Sequence, residues 1–398
     1  MIGSSSVRRR TAVSLVALAG VVLAGCSSSS SKGDGGTTGK SQAVSAAPAN
    51  LRTVTVSITS DSCTAQHASY NAGALTFQIS NKDATGVSEL EVLSEDRILG
   101  EKENLPPGFS GTFSLNLQPG SYTLYCPGAS KEKTTLTVTG NATSAPNTDT
   151  HALLVDGAKQ YKDYVVSQVS QLVDAVNTLN SALQSGNLQD AQNAYMKARP
   201  YYERIEPVAE SFPNLDDVID FRINDVPAGH KWQGFHPIER ALFEQKSLKG
   251  LAALGAGLVT NVGKLQSLVN GLSGFQPAEL ANGAVGLLEE AGKNKIKGEE
   301  ERYSHIDMLD FAANVEGSEQ AFAFLEQGMQ KIDPTLTSTI KSQFANVTTV
   351  LDGYKDTANT SGYKLFTALT PADTTKISQA LQAVFEPLSR VAGKVVNS

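Results

Sequence analysis

The hydrophobic period of this chain changes once, and that change divides what it can fold into. From Leu51 to Gly140 apolar residues alternate with polar ones in short runs: Val54, Val56 and Ile58, then Leu75, Phe77 and Ile79, then Leu90 and Val92. Phe113, Leu115 and Leu117 follow, then Tyr122 and Leu124, then Leu136 and Val138. Alternation sends every second side chain to one face, which marks a half-buried strand. Asn71-Ala72-Gly73, Pro106-Pro107-Gly108 and Gln118-Pro119-Gly120 separate the runs with turn chemistry. About six or seven strands punctuated in this way predict an antiparallel sandwich over residues 51–140. Asn141 to Thr150 is polar, contains Pro146 and reads as a linker. From His151 the period becomes helical. Leu153, Leu154, Tyr161, Tyr164, Val165, Val169, Leu172, Val173, Val176 and Leu179 line one face. Gln276-Pro277, Asp333-Pro334 and Thr370-Pro371 put proline at first helical positions. The expected fold class is therefore multidomain: a small all-β sandwich, then an all-α helical bundle over 151–398.

The N-terminus predicts a compartment. Arg8, Arg9 and Arg10 precede an apolar run from Thr11 to Leu23, which has signal-peptide length and is short for a membrane span. It ends in Leu23-Ala24-Gly25-Cys26, which resembles the lipobox of bacterial lipoproteins. That resemblance implies a signal peptide at 1–25, cleavage before Cys26 and a lipid on its thiol; the bland alternative is an ordinary signal peptide with a stray cysteine. Residues 26–50 are Ser, Gly, Thr and Ala with few large apolar side chains, so they read as a flexible tether. The expected location is the extracytoplasmic face of the cell membrane. A net charge of −7 argues against a nucleic-acid partner.

Two cysteines remain, Cys63 and Cys126. Gly120-Ser121-Tyr122-Thr123-Leu124-Tyr125-Cys126-Pro127-Gly128 resembles the penultimate-strand cysteine of cupredoxins. A blue-copper site also takes a His and a weak axial ligand, usually Met. Ala129, Ser130 and Lys131 follow here, which argues against electron-transfer copper. In an oxidising compartment the pair reads as a disulfide. The alternative is a second metal site using Cys63, Cys126 and a carboxylate such as Glu89 or Glu91, with His67 as a further candidate.

In the helical half, Gly234-Phe235-His236-Pro237-Ile238-Glu239-Arg240 puts an imidazole and a carboxylate three residues apart. Glu203 and Glu206 form a second such pair, and Asp307 and Asp310 a third with Asn314 beyond them. Side chains at i and i+3 share a helix face, so two facing pairs could make a nitrogen-and-oxygen cage for a metal. Two readings of the His236 pair stay open. With Pro237 as the first helical residue, His236 would be the N-cap and Glu239 a capping-box carboxylate; otherwise both are ligands. Acids elsewhere in Ala198–Arg222 and Glu299–Gly317 read as solvated faces.

Gly-Phe-His-x-Ile-Glu followed by Ala241-Leu242 resembles the His-x-x-Glu motif of the imelysin-like (EfeO/EfeM) family. Tyr-x-Glu-x-x-Glu-Pro-Val-Ala-Glu from Tyr201 is similar to that family too, as is Tyr303-Ser304 through Asn314-Val315-Glu316-Gly317. Glu89-Leu90-Glu91-Val92-Leu93 and Glu101 through Phe109 resemble its cupredoxin-like half. The resemblance runs from about Leu51 to the C-terminus. It implies a cupredoxin-like sandwich and an imelysin-like bundle in an iron-uptake lipoprotein, partnered by an EfeU-like permease and an EfeB-like haem peroxidase. It also implies a main site of Glu203, Glu206, His236 and Glu239, with Asp307 and Asp310 as outer or alternative ligands. Iron, as Fe2+ or Fe3+, is the expected ion, and copper or zinc are the alternatives. Cys63, Glu89 and Cys126 would bind a second ion or assist Fe(II) oxidation. Pro237 inside the motif and the lipobox are departures from soluble members. The chain has no His-Glu-x-x-His helix, so a zinc-dependent peptidase is the runner-up. A metal-free adhesion lipoprotein is the third reading.

Overall fold

The alternating runs become nine strands in two stacked sheets in the computed structural model, which describes residues 47–48, 51–141, 149–226, 229–293 and 295–398. The signal segment, Cys26, nearly all of the tether and most of the 141–150 linker lie outside the described residues. The strands are β1 (Thr53–Ile58), β2 (Cys63–Ala65), β3 (Ser69–Asn71), β4 (Gly73–Asn81), β5 (Leu90–Ser94), β6 (Arg97–Lys102), β7 (Ser110–Leu117), β8 (Gly120–Tyr125) and β9 (Lys133–Thr139). One sheet has the order β2-β1-β4-β7, the other β3-β9-β8-β5-β6.

The sandwich is not wholly antiparallel. β1 runs parallel to β4, and β3 parallel to β9. β2 and β3 are three residues each, too short to display the alternation that reveals a strand. β2 turns back along the edge of the first sheet and β3 crosses to the second, so the chain returns in β4 pointing the same way as β1. Phe77 stacks on Phe113 in the core, ring centroids 4.9 Å apart. Cys63 of β2 and Cys126 after β8 form a disulfide with Cα atoms 6.2 Å apart, tying one sheet to the other.

The helical half comprises α1 (Asp149–Ser185), α2 (Leu188–Glu203), α3 (Glu206–Glu210), α4 (Pro213–Asp220), α5 (Phe235–Glu239), α6 (Leu251–Gly271), α7 (Pro277–Lys293), α8 (Asp307–Ile332), α9 (Pro334–Asp352), α10 (Pro371–Leu388) and α11 (Val391–Val395). A π-helical turn, Arg240–Glu244, continues α5, and a 3-10 turn, Lys295–Lys297, follows α7. α1 supplies an apolar stripe from Leu154 to Leu183. α8 is buried on most of its circumference and carries Asp307, Asp310 and Asn314 inward in its first turns.

Sandwich and helices belong to one compact unit, Val44–Ser398. Ile98 donates its backbone N–H to Ser211 O at 3.0 Å, and the Asn282 amide donates to Ser114 O at 2.9 Å. Arg97 pairs with Glu279 at 2.8 Å, and Lys102 with Glu289.

Candidate metal centre

The polypeptide breaks where the first acid pair sits. Ile205 leaves helical geometry (φ −119°, ψ 9°), and Pro207 follows at the second position of α3, where its missing N–H costs nothing. Glu203 therefore ends α2 and Glu206 begins α3, rather than both lying on one helix. Their carboxylates still converge. Lys295 Nζ lies 2.9 Å from Glu203 Oε2 and 2.6 Å from Glu206 Oε1, and Asn314 Nδ2 donates to both acids at 2.9 Å.

The capping reading of the second pair does not hold. α5 starts at Phe235, its N-cap is Gly234, and no side chain caps it. Glu239 reaches away from its own helix: its Oε1 accepts the backbone N–H groups of Tyr303 and Ser304 at 2.7 and 2.8 Å. Its Oε2 lies 3.1 Å from His236 Nδ1. That contact orients the imidazole and leaves Nε2 aimed at two carboxylates, Asp220 Oδ1 at 3.5 Å and Glu300 Oε1 at 3.6 Å. Nε2 is buried without a hydrogen-bond partner. Ligand atoms at about 2.0–2.2 Å around one tetrahedral ion stand about 3.3–3.6 Å apart, so this spacing suits a shared ion.

The four residues expected as one ligand set divide between neighbouring groups. Glu203 and Glu206 group with Asp220 and Glu300, while His236 groups with Glu239 and Glu301, and separately with Asp220 and Glu300. Within each group the ligand atoms lie within 4.8 Å of one another. Asp220 and Glu300 thus join the two halves. Asp307 and Asp310 are in none of these groups. Asp307 Oδ1 accepts from Glu301 N at 3.2 Å, and Asp310 stands 3.6 Å from Arg199. Both are fully buried and retain unpartnered oxygens.

Charge is the unusual feature. Eight buried carboxylates (Glu203, Glu206, Asp220, Glu239, Glu300, Glu301, Asp307 and Asp310) surround two permanent cations, Arg199 and Lys295. Arg199 bonds Glu203 and Asp220, and also Glu300 at 3.1 Å and Glu301 at 2.9 Å. Such a surplus of buried negative charge is costly unless protons or a cation offset it. Burial, reinforced by neighbouring acids, holds the Glu206, Glu301 and Asp310 carboxyls well above the usual range. Burial pushes Asp307 up to about 7, and Asp220 to about 6 despite Arg199 and His236. Burial would also raise Glu300, but Lys295, His236 and Arg222 outweigh it and hold that carboxyl well below. The His236 imidazolium is favoured strongly, because Asp220, Glu239 and Glu300 outweigh its burial.

Asp220, Glu300, Glu301, Arg199 and Lys295 were missed as site residues by sequence reasoning. The Glu299-Glu300-Glu301 run read as a solvated face, yet Glu299 is exposed while the next two are buried. In the sandwich, Cys63 and Cys126 form the disulfide read for them, which takes both sulfurs out of thiolate coordination, the alternative of a second centre with Glu89. Glu89 instead precedes a ladder in which Glu91 stands directly opposite Glu101.

Residues 157–391 match the imelysin family, and residues 16–138 match the cupredoxin-like domain family. The iron uptake system component EfeO of Escherichia coli (strain K12) is 36% identical over 357 residues, covering 89% of this chain and 94% of its own length. The proteins of the same name from Shigella flexneri and Shigella sonnei match to the same extent.

Proposed function

This chain belongs to the imelysin family, and we propose that it captures iron outside the cytoplasmic membrane, as a lipid-anchored binding protein of the EfeO type. It delivers the ion to an EfeU-like permease, alongside an EfeB-like haem peroxidase. The observation that carries this reading is the unpartnered Nε2 of buried His236, facing Asp220 and Glu300 at 3.5 and 3.6 Å inside a surplus of buried carboxylate. The ion's ligands are drawn from Glu203, Glu206, His236 and Glu239, with Asp220 and Glu300 bridging the two pairs. Carboxylate oxygens with one imidazole suit iron over soft Cu(I), and zinc also fits. Anchoring is through Cys26. Among the described residues no helix is long and apolar enough to cross a membrane. The chain acts as a carrier and not as an enzyme.

Titration calorimetry tests the site. His236→Ala should weaken iron binding far more than it lowers thermal stability. Combining it with Glu203→Ala should cost less than the sum of the single losses, because both side chains act on one ion. Unchanged iron affinity in His236→Ala would remove the assignment.

A further inference from the structure

We infer that Lys295 is the counter-ion of the metal-free centre, displaced when a multivalent cation enters, and that it thereby helps set affinity and selectivity. The inference rests on the reading of Glu203 and Glu206 as ligands. Lys295 Nζ sits between the two carboxylates, 2.9 Å from Glu203 Oε2 and 2.6 and 2.8 Å from the Glu206 oxygens, with Glu300 Oε1 at 3.9 Å. Its side chain is 1% exposed. The ammonium therefore stands among three acids of the Glu203–Glu206–Asp220–Glu300 group, and an ion bound to that pair would meet it.

The two internal cations differ in how firmly they are held. Arg199 projects from within α2. Its planar guanidinium meets carboxylates from three other segments, Asp220, Glu300 with Glu301, and Asp310, and it lies 5.1 Å from the Phe235 ring centroid and 5.8 Å from that of Tyr202. Moving it would break every one of those contacts together. Lys295 is a point charge on a flexible stem, leaving a single 3-10 turn. It also has somewhere to go. Glu206 belongs to a second acid group with Glu210 and Glu290, and the charge of Glu290 also acts on Lys295. Glu210 and Glu290 line a cavity of about 310 Å³ between helices and sandwich. Rotation of the lysine stem toward Glu290 would vacate the inner pair while keeping the ammonium paired.

Such an arrangement favours ions of charge two or three. A monovalent cation replaces one positive charge with another and gains little, whereas Fe(II), Fe(III) or Zn(II) adds charge to a centre with excess carboxylate. The same lysine keeps the centre folded when no ion is present, because it compensates buried acids.

Zn(II), which does not change oxidation state, is the probe. Lys295→Met should bind Zn(II) about tenfold more tightly or better, a coupling of the usual size for competing occupants, while its metal-free form melts at a lower temperature. Lys295→Arg keeps the charge and should show no gain. A purely structural lysine would give weaker or unchanged Zn(II) binding in Lys295→Met, and that result overturns the inference, as would equal gains in Met and Arg. If Lys295→Met does not fold, the wild-type chain answers. The ammonium resonance of its buried lysine should move or exchange faster at full Zn(II) occupancy, and an unchanged resonance overturns the inference. Failure of the wild-type chain to bind Zn(II) or iron in a His236-dependent way sinks the site itself. Intact wild-type binding with no effect at Lys295 sinks only this step.

Discussion

At the scale of single residues, the centre depends on Arg199. Its guanidinium is fully buried and bonds Glu203, Asp220, Glu300 and Glu301. Removing one partner of a buried charged network leaves the others without compensation and typically costs about 3–5 kcal/mol. Arg199→Met, close in volume but uncharged, should therefore lose about that much stability in the metal-free chain, measured by denaturant unfolding. Saturating Zn(II) should restore part of the loss, since an ion that binds only the native state stabilises it. A loss that zinc leaves untouched would mean that these acids do not share a cation. Sequence alone could not separate Arg199 from any other helical arginine. Lys295 is a sharper case: Lys293 and Lys297 beside it are exposed, yet it is buried. Only the acids it meets from α2 and α3, far away in sequence, distinguish it.

Among the elements, legibility follows the range of the signal. Local rules worked where one segment holds the whole cause. Pro277, Pro334 and Pro371 each open a helix, Asp333 caps the N–H of Leu336, and Thr370 with Asp373 completes a capping box. The change of period separated sandwich from bundle for the same reason. Local rules failed where the cause is another element. The break at Ile205 and the placing of Glu239 against Tyr303 and Ser304 depend on packing, and periodicity reports a face without saying what it meets. Gly234 shows how such a meeting is built. Its φ is 94°, and a Cβ there would stand 2.1 Å from the carbonyl oxygen of Ile219, next to Asp220. Glycine lets α5 approach the end of α4 closely enough for His236 to face Asp220. Gly234→Ala combines a left-handed backbone with a backbone clash, so it should lower both melting temperature and iron affinity. His236→Ala should mainly lower affinity, and a Gly234→Ala chain with native affinity would show that α4 and α5 need not touch for binding.

For the whole molecule, sandwich and bundle meet across acids as well as ion pairs, and this gives stability a pH dependence. Glu91 is 7% exposed, its Oε2 lacks a partner, and Glu101 stands opposite it on β6. Like charges directly opposite on a ladder are unfavourable. Burial, with Glu89, Glu103 and Asp217 adding and Lys133 opposing, pushes the Glu91 carboxyl up to about 8. Burial, with Glu290, Glu89 and Glu289 adding and Lys102 opposing, does the same for Glu103, also to about 8. An unfolded glutamate titrates near 4.5, so between that value and about 8 the folded chain holds protons that the unfolded chain has released. Stability must then fall as pH rises through this window. His236, raised above its ordinary value, slopes the same way, so the test is a difference between chains. The metal-free wild-type chain should melt at a lower temperature at pH 8 than at pH 5.5, whereas Glu91→Gln combined with Glu103→Gln should flatten that slope and gain most at pH 8. Both chains should unfold in one transition, because the backbone bond from Ile98 to Ser211 and the Arg97–Glu279 pair join the halves. A slope identical in the two chains would mean that these carboxyls are already ionised at pH 5.5, with the interface compensating them by means other than protons.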